Sequence, residues 1–154
     1  MSYNKLAGNL KKDKNLQIYI IKNMKLRQLV DGGNSLGFLM GQKLPIVLSF
    51  KLSLFVKKIQ PELDEFNKKV AELKLEYFEK ELTEDGKETG NFKAEDNKLV
   101  TKDKENGEKD FMEKYNSLLD QEVDVSIPDI SINEFQGIEI EPKHLVQLDW
   151  LIKE

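Results

Sequence analysis

The clearest pattern of apolar and polar positions is a heptad repeat in the middle of the chain. From residue 52 to residue 77, apolar residues follow one another at alternating steps of four and three, and mostly charged residues fill the gaps. This spacing places the apolar side chains along one seam of a helix. We predict that the seam forms a coiled-coil contact with another helix, within the chain or between chains. The predicted interaction seam comprises Leu52, Val56, Ile59, Leu63, Phe66, Val70, Leu73 and Tyr77.

A nearly continuous apolar run, "KLPIVLSFKLSLF", precedes the repeat at residues 43–55. Lys51 interrupts this run early, whereas a membrane span needs about 20 apolar residues. The run therefore predicts the buried beginning of a helix. Pro61 lies within the repeat without shifting its phase, which favours a kink over a break. We predict one long kinked helix over residues 45–82, in a soluble protein.

The segment ahead of this helix is less regular. Residues 24–42 carry apolar residues at helical offsets that "DGGNS" interrupts, and they predict a short helix or a connector. Residues 1–23 mix Gly, Asn and Lys with one short apolar cluster. We expect them to form a basic N-terminal extension outside the domain, with a short docking helix as the alternative.

After the long helix, the sequence predicts that the chain turns back. Residues 83–107 are polar and contain turn signals, "DG" and "TGN", which predict a loop or an exposed β-hairpin tip. Residues 108–120 carry a second apolar helical face. We expect this second helix to pack antiparallel against the first.

The last third of the chain has strand character. Strict alternation in "EVDVSIP" and the later "IEIEP" predict two short strands within residues 122–141, joined by a turn. Ser131 and Glu134 have capping-box spacing in that turn. Pro142 then begins a terminal helix over residues 142–153. The predicted fold is α+β and mainly helical: a long antiparallel helical hairpin with a small β element and a C-terminal helix, in a single domain over residues 24–154.

Charge is distributed unevenly along the chain. Residues 1–60 carry eleven Lys and Arg against two Asp, a net charge of +9, while residues 61–154 carry 13 cations against 26 acids, a net charge of −13. The basic N-terminus predicts weak, non-specific contact with nucleic acid. Attraction between the two oppositely charged ends, within or between chains, is the explanation that we favour for the asymmetry. The acidic C-terminal part offers a possible contact surface for a basic partner, formed by Asp124, Asp129, Glu134, Glu139 and Glu141.

Candidate chemistry is sparse. The chain has no cysteine, and its only histidine, His144, is expected to be a surface residue near the start of the terminal helix. A loop beginning at Asp85 fails as a calcium site because Lys87 takes the third ligand position. Most carboxylates fall on charged helix faces or in loops, so no pair is expected to have the split pKa values of acid–base catalysis. We therefore predict no catalytic residue, no metal site and no cofactor.

Three segments resemble a family of small proteins encoded in bacteriophage and prophage genomes. They are "MKLRQLVDGGNSLGFLMGQKLPIVLSFKLS" at residues 24–53, "LLDQEVDVSIPDISINEF" at 118–135 and "IEIEPKHLVQLDWLI" at 138–152. The resemblance covers about residues 24–152. It brings no catalytic motif, and the family is of uncharacterised function. It implies a phage-type protein in the cytoplasm of a bacterial host or in the virion.

Two classes of function follow from the seam and the resemblance. One is a non-enzymatic role in virion morphogenesis or as a virion-associated component, through binding to a partner protein or to further copies of the chain. The alternative is a phage-encoded inhibitor or adaptor that binds a host protein through its acidic C-terminal half.

Overall fold

The structure, a computed structural model, describes residues 10–12 and 18–154. It shows an α+β protein with mainly helical secondary structure, which confirms the predicted fold class. The helices are α1 (Leu26–Met40), α2 (Ile46–Tyr77), α3 (Gly107–Leu119) and α4 (Pro142–Gln147), with a 3-10 helix at Ile132–Phe135. The strands are β1 (Leu10–Lys12), β2 (Ile18–Lys25), β3 (Lys80–Leu82), β4 (Glu88–Phe92), β5 (Ala94–Glu95), β6 (Lys98–Leu99), β7 (Glu122–Pro128), β8 (Ile130–Ser131) and β9 (Ile152–Lys153).

The chain forms two compact units where a single domain was predicted. Unit 1 contains the chain up to Leu63 together with Asp120–Glu154, and unit 2 is Asp64–Leu119. The division falls inside α2, which continues through Pro61 to Tyr77 without interruption. A heptad repeat indicates only that a helix is continuous, not how many cores the helix contributes to. Here the first part of α2 packs in the core of unit 1 and the second part in the core of unit 2.

Unit 1 is built on a three-stranded sheet in the order β1-β2-β7. β2 pairs antiparallel with β7 from Tyr19 opposite Pro128 to Lys25 opposite Glu122. Residues 18–23 therefore belong to the fold, which corrects their assignment to an extension. Their strand partner lies about 100 positions further along the chain, so local patterning did not reveal it. Residues 1–9 and 13–17 lie outside the described residues, and for them the extension stays a prediction.

Helix α1 runs through "DGGNS", where a break was predicted. Its inward residues, Leu29, Leu36 and Leu39, are buried, and this tertiary burial outweighs the low helix propensity of the glycine pair. Gly32 serves as a contact point: a Cβ there would lie 2.8 Å from Cζ2 of Trp150. The bulky indole thus packs where α1 has no side chain.

The C-terminal segment differs from the predicted strand and long terminal helix. Residues 138–141 form no strand in the structure. α4 begins at Pro142 as predicted but ends at Gln147, because the chain turns and the Trp150 indole N–H donates to the Gln147 carbonyl at 2.8 Å. This bond satisfies one of the carbonyls left open at a helix C-terminus. The chain then pairs β9 in parallel with β8.

Unit 2 is an antiparallel helix pair carrying two small hairpins. Phe66 lies near Tyr115 at a ring-centroid distance of 6.0 Å, and Tyr77 near Phe111 at 6.1 Å, so α3 runs antiparallel to the second half of α2. β3 pairs with β4, and β5 with β6. The second hairpin turns at Asp96 and Asn97, both with positive φ, as a two-residue turn of the primed type requires. The predicted "TGN" turn is wrong, because these residues lie in β4.

Candidate interaction surface

The predicted seam lies on the inner face of α2, inside each unit. In unit 1, Leu52 and Ile59 are fully buried, and Leu48 and Phe55 on the same face are buried with them. In unit 2, Phe66 is buried. The remaining members of the seam, Val56, Leu63, Val70, Leu73 and Tyr77, are half-buried. The seam therefore packs within this chain, which is the first of the two alternatives that the sequence left open.

A second apolar stripe lies on the opposite, outer face of the first turns of α2. Ile46 is 84% exposed, Val47 61% and Phe50 55%. Ile46, Phe50 and the half-buried Leu54 follow at intervals of four, and Val47 sits beside them three positions from Phe50. Residues three and four apart are neighbours on a helix surface, so the four side chains form one continuous strip. We call this strip the outer stripe.

The surroundings of the outer stripe are basic. No Asp or Glu occurs between Asp31 and Glu62, whereas this segment contains Lys43, Lys51, Lys57 and Lys58. Lys51 is bound inside unit 1: its ammonium donates to Glu134 Oε1 at 2.7 Å and to the Asp129 carbonyl at 2.8 Å.

The other three lysines lie at the two ends of the stripe. Lys43 is three residues before α2, while Lys57 follows Phe50 by two helical turns, with Lys58 next to it. All three are exposed, and none pairs with a carboxylate among the described residues. Lys58 packs its ammonium over the Tyr19 ring at 4.3 Å.

The predicted acidic contact residues are mostly engaged within unit 1. Glu134 accepts from Lys51 and, through its other oxygen, from the Ser131 backbone N–H at 2.8 Å, which confirms the capping box. The other contacts are those of Asp124 with the Asn23 side-chain amide at 3.0 Å, Asp129 with Lys153 at 2.9 Å, and Glu141 with Lys143 at 2.9 Å. Glu139 is exposed.

Glu141 shows the electrostatic consequence of such a contact. The hydrogen bond and the positive charge of Lys143 together lower the pKa of the Glu141 carboxyl. Three of the five acids are thus paired with a lysine of their own unit, and a fourth, Asp124, is hydrogen-bonded to a neutral amide, which weakens the case for an open acidic surface.

His144 is half-buried, not the surface residue that was expected. Its ring stacks on Phe38 at a centroid distance of 4.2 Å, and its Nδ1 lies 2.9 Å from Oγ of Ser35. The Ser35 hydroxyl also donates to Gln147 Oε1, so its oxygen lies between the two side chains of α4.

This arrangement does not fit a nucleophile and its base. A nucleophile has to reach its substrate, and Ser35 is fully buried. The cluster links α1 to α4. No sequence motif singled out the contact of Ser35 with His144.

Unit 2 carries two shallow apolar pockets of its own. One, of about 330 Å³, is lined by Phe78, Leu99, Phe111 and Met112 with Lys98 and Glu108 at its edge. The other, of about 260 Å³, lies beside Leu75 and Phe92.

On α3, the hydrogen bond to Tyr77, followed by the contact with Glu76, raises the pKa of Lys114. Lys114 therefore stays charged across the neutral range.

Membrane spans, metal-ligand groups and similar proteins were each looked for. Among residues 10–12 and 18–154, no helix is long and apolar enough to cross a membrane. In the same residues, no group of three or more His, Asp or Glu side chains is placed to hold a metal ion. The chain matches no family model, no curated protein and no solved structure.

Proposed function

We propose that this protein is a phage-type binding protein that acts without catalysis, in virion morphogenesis or as a virion-associated component. The observation that carries the proposal is the outer stripe, since three large apolar side chains on one helix face are more than half exposed. Contiguous exposed apolar surface of this kind marks interaction sites in soluble proteins. The resemblance of residues 24–152 to phage-encoded proteins supports the biological setting.

The alternative, a host-directed inhibitor or adaptor acting through acidic residues, has less support. Its candidate surface consists of residues that mostly bind partners inside unit 1, whereas residues 10–12 and 18–154 leave Ile46, Val47 and Phe50 of the outer stripe exposed. Both hypotheses require a protein partner, and they differ in which face binds it and in where that partner is found.

Photocrosslinking from the stripe tests the proposal. A photoreactive p-benzoylphenylalanine replaces Phe50 in cells that produce particles of the phage encoding the chain. The same replacement at Val146 is the control, since Val146 is 72% exposed and lies on α4. We expect position 50, and not position 146, to form a covalent adduct with a structural protein of the particle.

The identity of the adduct decides between the candidates. An adduct between position 50 and a host protein would favour the host-directed role. Equal adduct formation from positions 50 and 146, or none from position 50, would contradict binding through the outer stripe.

A further inference from the structure

We infer that the outer stripe binds one amphipathic helix of another protein, and that this helix carries acidic residues at the ends of its apolar face. This inference rests on the proposed function and specifies the partner of the same site.

The shape of the stripe matches a helix. Ile46 and Leu54 are eight residues apart on α2, which corresponds to about 12 Å along the axis at 1.5 Å per residue. The strip is narrow, straight and apolar, as is the face that one helix presents to another. Phe50, at its centre, is an aromatic side chain of the type that dominates binding energy at interfaces.

The charge of the stripe selects acidic neighbours. Lys43 stands before its first turn, and Lys57 and Lys58 follow its last residue, so cations mark both ends. No carboxylate among the described residues pairs with these three lysines, whereas Lys51 is satisfied by Glu134. A helix whose apolar face is bordered by Asp or Glu would complete these contacts, in the manner of the flanking positions of a coiled coil.

The same charges disfavour a second copy of the chain. In a symmetric dimer the same strip faces itself, so an antiparallel pair of stripes would bring Lys43 of one copy to Lys57 and Lys58 of the other. Like charges at such positions repel. The contact would also leave all six ammonium groups without a carboxylate from the partner strip.

An anionic membrane surface fits less well than a helix. Segments that bind acidic lipids usually cluster about 4–8 Lys or Arg residues. Near the stripe, three lysines pair with no carboxylate among the described residues, and they are divided between its two ends. One of them, Lys58, already lies over the Tyr19 ring, and Lys51 is turned inward to Glu134 and the Asp129 carbonyl.

Two matched synthetic peptides test the inference on the full chain. Each is an amphipathic helix of about 21 residues, long enough to be helical alone, with the same leucine face and either Glu or Lys at the border positions. We expect the Glu-bordered peptide to bind about tenfold more tightly at low salt, with the difference shrinking at high salt. A double variant, Lys43→Glu with Lys57→Glu, is expected to reverse the preference.

Two single variants establish that binding occurs at the stripe. Phe50→Glu is expected to abolish binding of the Glu-bordered peptide, and Val146→Glu, a change at a more exposed apolar position on α4, to leave it intact. Circular dichroism of each variant confirms that it is folded. Equal affinity for the two peptides, a preference for the Lys-bordered peptide, or equal effects of the two variants would overturn the inference.

Other occupants give distinct results. Binding to vesicles containing phosphatidylserine that Phe50→Glu removes would assign the stripe to a membrane and overturn the inference. A dimer seen by light scattering that the same variant dissociates would assign the stripe to a second copy, with the same consequence. If position 50 crosslinks to a particle protein while the two peptides bind equally, the proposed function stands and only the acidic helix is wrong.

Discussion

The two faces of the first turns of α2 are both apolar, but one is buried and the other is exposed. On the inner face, Leu52 and Phe55 are fully buried, while on the outer face Ile46 and Phe50 are largely exposed. A helix that is apolar on all sides is normally buried on all sides. Apolar character alone therefore does not decide burial: within the described part of the chain, unit 1 covers one face of this helix and leaves the other exposed.

The exposed face represents binding energy that folding does not use. Burying a large aliphatic or aromatic side chain contributes about 1.5–3 kcal/mol. Folding gains this free energy of burial from Leu52 and Phe55. It does not gain it from the exposed parts of Ile46 and Phe50, where a bound partner would. Substitutions on the two faces should therefore separate stability from binding.

The largest expected effect is that of Leu52→Asp. Leu52 is 0% exposed, so the substitution places an unpaired carboxylate in the core of unit 1 and removes apolar packing. We expect the free energy of unfolding to fall by about 4 kcal/mol or more. Urea denaturation followed by circular dichroism measures the change.

Phe50→Asp is the matched control on the outer face. Because Phe50 is 55% exposed, its carboxylate variant should stay within about 1 kcal/mol of the parent stability. If Phe50→Asp destabilised the chain as much as Leu52→Asp, the outer face would be a covered face, and the comparison of the two faces would be wrong.

The sequence predicted which residues lie on the inner face of α2, but not which of its other apolar residues remain exposed to solvent. The heptad pattern marked the inner face from Leu52 to Phe66, and the structure buries both residues. At the start of the helix, apolar residues occupy nearly every position from Leu44 to Phe50, so periodicity does not distinguish one face from the other. Only the packing of the rest of unit 1 decides which face is covered.

Long-range pairing was the other limit of the sequence. The strand character of Glu122–Pro128 was visible, as was the Ser131 and Glu134 capping box, because both are local patterns. The pairing of β2 with β7 and of β9 with β8 joins segments far apart in the chain. For the same reason, the packing of Trp150 against Gly32 had no local signal.

A pair of adjacent glycines extends the comparison to α1. Gly32→Ala would place a Cβ 2.8 Å from Cζ2 of Trp150 and 3.3 Å from the Gln147 carbonyl oxygen. The indole must shift, and its hydrogen bond to that carbonyl with it. We expect a loss of about 2 kcal/mol in the free energy of unfolding, within the usual range for overpacking.

Gly33→Ala should have the opposite sign. No heavy atom lies within 4 Å of the position that its Cβ would take. Alanine is the better helix former by about 0.5–1 kcal/mol. Thermal melts of the two variants measure the difference, and destabilisation by Gly33→Ala would show that this side of α1 is also covered.

Lys51→Met is expected to have a smaller effect. Its ammonium binds Glu134 and the Asp129 carbonyl, and the Lys51 and Glu134 side chains are only 26% and 27% exposed. Removing it leaves a partly shielded carboxylate, and we expect a loss of about 1–2 kcal/mol. Lys57→Met, at an exposed position, should change stability by less than about 0.5 kcal/mol. Equal losses in urea denaturation would contradict the division between an inward and an outward lysine.

The smallest expected change is that of Ser35→Ala, even though Ser35 lies on the covered face of α1 and is fully buried. Its two polar partners, His144 and Gln147, are half-buried and exposed, so water can replace the lost hydroxyl at both. Alanine also has the higher helix propensity, and the two effects should leave the free energy of unfolding within about 0.5 kcal/mol of the parent. A loss of several kcal/mol in urea denaturation would instead mean that the hydroxyl holds α1 and α4 together. Burial alone, in that case, would no longer explain which residues of the covered face are sensitive to substitution.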